Sequence, residues 1–217
     1  MKTLSPSQAK EFYDQFGEKQ DKQGYYEDRA VETLLKNSLL QDSTSIFEFG
    51  CGTGRIASDL LNDYAPRAEY LGMDISETMI QLAEKRLERF HNRTRVQLSP
   101  GGDALGLSDK SVDRFISTYV FDLLPEDSIR KIIAEAKRIL EDDGLICLVG
   151  ITAGRGILSR CVMGVWRSVF ALKPSIVGGC RPIRFQDYFS TNEWDILYNN
   201  TVVSWGVASD VFVARPM

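Results

Sequence analysis

The stretch with the clearest capacity for chemistry is Glu48-Phe49-Gly50-Cys51-Gly52-Thr53-Gly54. Glycines at alternate positions let the backbone bend sharply and lie against a ligand with no Cβ in the way. The next residues, Arg55-Ile56-Ala57-Ser58-Asp59-Leu60-Leu61, are amphipathic and continue as a helix. Its first turn aims unpaired N–H groups and a partial positive charge at whatever lies over the glycines. Asp74 closes a second apolar run, 20 residues after Gly54. A carboxylate there can accept both ribose hydroxyls of a nucleoside lying across the strand ends. Turn and carboxylate together describe a site for a nucleoside-bearing cofactor. The glycines alone do not choose the cofactor, because Gly52-x-Gly54-x-x-Ala57 also satisfies the dinucleotide fingerprint.

Such residues need a sheet to hold them. Ile46, Phe47 and Phe49 suit a strand covered on both faces. Residues 68–74, 94–98 and 115–120 read as further strands, and 144–150, apolar throughout, as a central one. Helices are predicted over 76–91, with Ser76 as N-cap, and over 127–141, stopped by Asp142-Asp143-Gly144. This alternation predicts a doubly wound, mostly parallel α/β sheet. Two last strands, 194–203 and 209–215, are joined by a short turn near Gly206 and so are antiparallel. The expectation is one domain over 1–217 with a seven-stranded sheet whose last strand is reversed.

Glu48-x-Gly50-x-Gly52-x-Gly54 closely resembles the first motif of class I S-adenosylmethionine (SAM) methyltransferases, in the type 11-like group that acts on small molecules, quinones or lipids. Asp74-Ile75-Ser76 resembles their second motif. Gly102-Asp103-Ala104, with the residues up to Ile116, resembles their third, departing at Gly106, where Pro is usual, and at Val112, where Phe is usual. Dinucleotide dehydrogenases have no corresponding Asp-Ala. The resemblance covers roughly residues 44–151, and the last hairpin weakly. It implies SAM as cofactor and S-adenosylhomocysteine as product. Glu48, Gly50, Cys51, Gly52 and Gly54 would lie against the methionyl part and Asp74 on the ribose. Ile75 would pack on the adenine, Asp103 would accept from its amino group, and the Ala104 amide would serve a ring nitrogen. Tyr119 and Asp122 follow the fourth strand and are the catalytic candidates, with Tyr119 also near the cofactor. Quinone-type members often have a His near the place of Asp122, which this chain lacks. The N-P-P-Y-like motif of adenine-N6 DNA methyltransferases is absent, since Ser117-Thr118-Tyr119-Val120 stands there. Two rival readings are an NAD(P)-dependent oxidoreductase and a SAM-binding regulatory protein without turnover.

The flanking segments are less patterned. Helices over 6–17 and 25–40 would form an N-terminal cover within 1–40, with Tyr13 preferred over Tyr25 and Tyr26 as an aromatic flap on the cofactor. Residues 152–190 are the expected lid and acceptor region. From Gly144 to Gln186 there is no Asp or Glu, whereas Arg155, Arg160, Arg167, Lys173, Arg181 and Arg184 all fall there. The predicted helix 155–172 puts Arg160, Met163, Gly164 and Arg167 on one face and Leu158, Cys161, Val162, Val165, Val169 and Leu172 on another. It suits either a lid or a peripheral contact with an anionic membrane. Arg181, in a glycine-rich loop, is the candidate contact for a small-molecule or lipid-like acceptor with an anionic group. Net charge −4 and pI near 5.2 argue against nucleic acid as partner. No apolar run reaches the roughly 18 residues of a spanning helix. The four scattered cysteines suggest neither metal nor disulfide, and a cytoplasmic protein is expected.

Overall fold

The computed structural model describes residues 3–217. Strand β1 (Ser45–Phe49) pairs in parallel with β2 (Glu69–Asp74) on one side and β4 (Val112–Thr118) on the other. Outside these lie β3 (Thr94–Leu98) and β5 (Leu140–Ile151). The hairpin of β6 (Trp194–Ser204) and β7 (Val207–Pro216) then inserts β7, antiparallel, between β5 and β6. The order β3-β2-β1-β4-β5-β7-β6 leaves six strands parallel and the last reversed.

Helices α1 (Pro6–Phe16), α2 (Gly24–Asn37), α3 (Arg55–Asp59), α4 (Glu77–Leu87), α5 (Glu126–Ile139) and α6 (Gly156–Leu172) surround this sheet. α2, α3 with the π-helical turn Leu60–Tyr64 that extends it, and α4 cover one face through Leu34, Ala57, Leu60, Ile80 and Leu87. α5 covers the other through Ile129, Ile132, Ala136 and Ile139. There a chain of buried rings runs Phe47–Phe115–Phe121–Phe185–Phe212, with successive centroids 5.5, 6.4, 6.1 and 6.1 Å apart. Burying each ring contributes roughly 1.5–3 kcal/mol. At the amino ends of the strands, Asp113 accepts from the Thr44 and Ser45 amides, and Arg114 donates to the carbonyls of Ser38 and Leu39. These bonds fix the entry into β1 and hence the place where its glycine turn emerges.

Beyond shifts of a few residues at element ends, such as β4 at Val112–Thr118, three features differ from the sequence expectation. β5 begins at Leu140, not at Gly144, because Leu140 already pairs with Val112 and the stretch Glu141-Asp142-Asp143 runs as exposed strand. Most of 18–24, the polar gap between the two predicted N-terminal helices, belongs to a 3₁₀ helix, Gly17–Gln23. In α6 the inward face carries Ser159, Met163 and Phe170, so Met163 is core and not part of the arginine face. Trp166 donates to the Cys180 carbonyl at 2.9 Å, and this bond and the burial of Phe170 set the roll of the helix.

Candidate functional site

The glycine turn leaves the carboxyl end of β1, and the amides of Gly50 and Cys51 both donate to the Met73 carbonyl, at 2.7 and 2.9 Å. Gly50 has φ +79°, and a Cβ there would stand 2.2 Å from Val120 Cγ2, so the chain can turn here only as glycine. Asp74 closes the bracket. Its Oδ2 accepts from the Gly52 amide and its Oδ1 from the Ser76 amide, each at 2.9 Å. Burial pushes this carboxyl up, opposed by the backbone N–H donors. Ser76 Oγ caps α4 at the Met79 amide and donates to Asp14 Oδ1 at 2.6 Å, which pins α1 over the site. Asp21 pins the 3₁₀ segment in the same way, accepting from Thr53 Oγ1 at 2.7 Å and from Arg86 Nη2 at 2.6 Å.

These elements enclose a cavity of about 300 Å³. Its polar lining comes from Asp74, Ser99, Asp103 and Ser128, and, beside Gly50, from Gln20 and Thr118. Leu4, Pro6 and Ala9 at the start of α1, with Leu123, Leu124 and Pro125, form an apolar wall. A smaller recess of about 30 Å³ shares Gln20, Gly50, Thr118 and Tyr119 and adds Glu27, Glu48 and Arg55. Two buried acceptors there have no partner, Gln20 Oε1 and Glu48 Oε1. The other Glu48 oxygen accepts from the Tyr70 hydroxyl at 2.5 Å. Burial pushes Glu48 up to about 8 and Glu27 up to about 7.

Of the residues singled out in the sequence, Tyr13, Gly50, Asp74, Ile75, Asp103 and Tyr119 line the cavity. Glu48 and Cys51 line the recess. Gly52 contributes its amide to Asp74, and Gly54 starts α3. Asp103 sits at the rim, where Lys131 Nζ at 2.9 Å holds its carboxyl below the usual range. Ala104 is exposed and does not line the cavity.

Tyr119 has φ +57°, an uncommon and costly backbone state for a bulky residue. Its hydroxyl is paired with Ser209 Oγ at 2.9 Å, and burial raises its pKa. Asp122 and Arg181 lie apart from the cavity. A 3₁₀ turn over Phe121–Leu123 swings Asp122 under the sheet ends, where it is fully buried and accepts from the Ile151 amide at 3.0 Å. Burial pushes it up to about 6. Arg181 donates its own amide to the Asp122 carbonyl and its guanidinium to the Leu124 carbonyl, at 3.0 and 2.8 Å.

Sequence reasoning passed over Gln20, Ser99, Thr118 and Ser128. Thr118 ends β4, and the rule that ligands sit at carboxyl ends of strands would have found it. Ser128 lies in the first turn of α5. Gln20 has no local signal, since only the docking of 17–23 onto the turn brings its amide within 3.1 Å of where a Gly52 Cβ would be.

Residues 46–144 match the family described as methyltransferase domain. The chain is 30% identical over 127 residues to a demethylmenaquinone methyltransferase of Lactobacillus johnsonii, covering 58% of this chain and 50% of that protein. It is 26% identical over 125 residues to a carboxy-S-adenosyl-L-methionine synthase of Sulfurimonas denitrificans, covering 56% and 50%. The chain thus spans about half the length of these curated relatives. Among solved structures, the YcgJ protein of Bacillus subtilis superposes with TM-score 0.67 over 87% of this chain and 98% of that one, at 14% identity, a likeness of fold.

Proposed function

We propose that the chain is a class I SAM-dependent methyltransferase and that it transfers the SAM methyl group to a small, largely apolar or lipid-like acceptor. The observation that carries the cofactor half is Asp74, a carboxylate locked by two backbone amides at the end of β2 and facing the cavity. The residues fit SAM in a second respect. Gln20 Oε1 and Glu48 Oε1 are buried and unpartnered beside the glycine turn, and an α-ammonium group would donate to both while favouring the ionised form of Glu48. In this reading Gln20, Glu48 and Thr118 hold the amino-acid end, Asp74 the ribose, and Ile75, Ser99 and Asp103 the base.

When bound, SAM supplies an activated methyl on a sulfonium, so the protein's task is alignment and exclusion of water. The cavity walls are suited to that task. Tyr119 is paired with Ser209 and Asp122 does not line the cavity, so neither offers a free base to it. The arrangement therefore favours an acceptor that is already nucleophilic. The wall of Leu4, Pro6, Ala9, Leu123, Leu124 and Pro125 supports an apolar acceptor body.

Calorimetric titration with SAM, S-adenosylhomocysteine and NADH, repeated on Asp74→Ala and Asp103→Ala, tests the cofactor. Binding of the first two, weakened in both variants, is expected. Binding of NADH with silence from the others would overturn the reading and leave Gly52-x-Gly54-x-x-Ala57 as a dinucleotide fingerprint.

A further inference from the structure

Helix α6 is apolar on two sides. Ser159, Met163 and Phe170 are buried against the protein, yet Ile157, Leu158, Val165 and Leu172 are 85, 75, 64 and 87% exposed, and Ile176 in the next turn is 67% exposed. At 3.6 residues per turn the four helical ones share one outward stripe with the exposed Cys161. Arg160 and Arg167, both exposed, run along one border of that stripe, and Arg155 and Lys173 stand at its ends. No acidic residue lies between Gly144 and Gln186 to neutralise them in sequence.

The β6–β7 turn adjoins the start of this helix. Ser159 Oγ donates to the Gly206 carbonyl at 3.0 Å, and Val162 packs on Gly206. Next to it Trp205 is 81% exposed at φ +53°, a strained backbone for so large a side chain.

We propose that α6 and the β6–β7 turn seat the protein peripherally on an anionic phospholipid surface. Chemistry on the page selects this occupant. Apolar side chains enter the acyl boundary, arginines meet lipid phosphates, and an exposed Trp sits at headgroup depth. A second copy on the same stripe would bring Arg160 and Arg167 of both chains together, an unfavourable like-charge contact. No described helix is long and apolar enough to cross a membrane, so the contact is one of lying on the surface. The segment after α6 leads from this face to the cavity. Tyr13 donates its hydroxyl to the Gly178 carbonyl at 3.3 Å and Leu4 lies against Gly179, and both Tyr13 and Leu4 line the cavity. The proposal stands whether or not the acceptor is a lipid.

The test is flotation of the full chain with vesicles of phosphatidylglycerol and phosphatidylcholine, against vesicles of phosphatidylcholine alone, at low and high salt. Binding is expected only to the anionic vesicles and to weaken as salt rises. Leu158→Glu with Val165→Glu should lower partitioning roughly tenfold or more. Arg160→Gln and Arg167→Gln should each lower it roughly fivefold. Trp166 is half-buried and Trp194 buried, so a vesicle-induced blue shift of fluorescence should vanish in Trp205→Asn, where Asn tolerates the positive φ. All five positions are exposed, and circular dichroism verifies that the variants fold. A folded protein that fails to float at low salt overturns the proposal. So does binding that survives Leu158→Glu with Val165→Glu. Dimerisation by sedimentation velocity, lost in that same pair without any flotation, would assign the stripe to a second copy.

Discussion

Asp74, half-buried, and Asp122, fully buried, are both aspartates at the carboxyl end of the sheet, and the structure uses them in opposite ways. Asp74 takes its two amides from Gly52 and Ser76, in the turns that flank the proposed cofactor cavity, so its carboxylate is held rigid while lining that cavity. Asp122 takes the amide of Ile151 and passes its own carbonyl to Arg181, so it clamps the segment after β5 onto the sheet. Phe185 repeats that clamp through its amide to Asp210 Oδ2 at 3.1 Å. The side of the proposed cofactor cavity is thus assembled largely from backbone groups. The segment after β5 uses Asp122 and Asp210 to hold itself down, and turns apolar surface outward.

The largest effect that sharpens this contrast is at the turn itself. Gly50→Ala adds a methyl against Val120 at a positive φ and should lower unfolding free energy by roughly 2–4 kcal/mol in chemical denaturation. Loss of SAM binding with unchanged stability would show that the turn yields more easily than its packing implies. Asp74→Ala comes next, with SAM affinity reduced by roughly 10- to 100-fold in calorimetry, the worth of bonds to a charged acceptor.

Asp122→Ala should divide the two regions cleanly. It strands the buried Ile151 amide and should cost about 1–3 kcal/mol of stability, leaving SAM affinity within about twofold. A variant of normal stability and lost methyl transfer would return Asp122 to the chemistry.

The pH profile of stability is a smaller, graded effect. Glu48, raised from the ordinary 4.5 to about 8 by burial, keeps its proton in the fold where the unfolded chain has released it. The folded state then binds more protons between those values, so stability falls as pH rises through that window. Glu27, raised to about 7, acts in the same direction. Thermal melts from pH 5 to pH 8 should show a falling Tm, and Glu48→Gln, which preserves an acceptor for Tyr70, should flatten the slope. An equally steep profile in that variant would place the titration elsewhere. Asp103→Ala should have the smallest effect, a few-fold loss of SAM affinity, because Asp103 sits at the exposed rim and already pairs with Lys131.

What could be read ahead of the structure follows the same divide. The strand, turn and helix around Gly50, the N-cap at Ser76 and the carboxylate at Asp74 depend on residues close in sequence, and they stand where spacing put them. The reversal of the last strand was legible from a connection too short for a crossover. The roll of α6 was not, because both its sides are apolar and only the bond from Trp166 to Cys180 and the burial of Phe170 decide which faces inward. Gln20 was invisible for a related reason: it reaches the site through the pairing of Asp21 with Arg86, 65 residues away. Arg181 has the type and loop setting of a ligand contact, and a single carbonyl, that of Leu124, takes its guanidinium out of the cavity.

The place of β7 has a consequence for synthesis. β6 is made before β7, yet its ladder in the sheet is formed with β7 alone, and β7 also covers the free edge of β5. While residues 207–216 are still inside the ribosome, five parallel strands can assemble around β1, but β5 ends in an open row of N–H and C=O groups and β6 has nothing to join. Such an edge invites pairing with another nascent chain. Emergence of the ten residues of β7 therefore turns a sticky five-stranded intermediate into a sheet in which the long apolar edge of β5 is sealed.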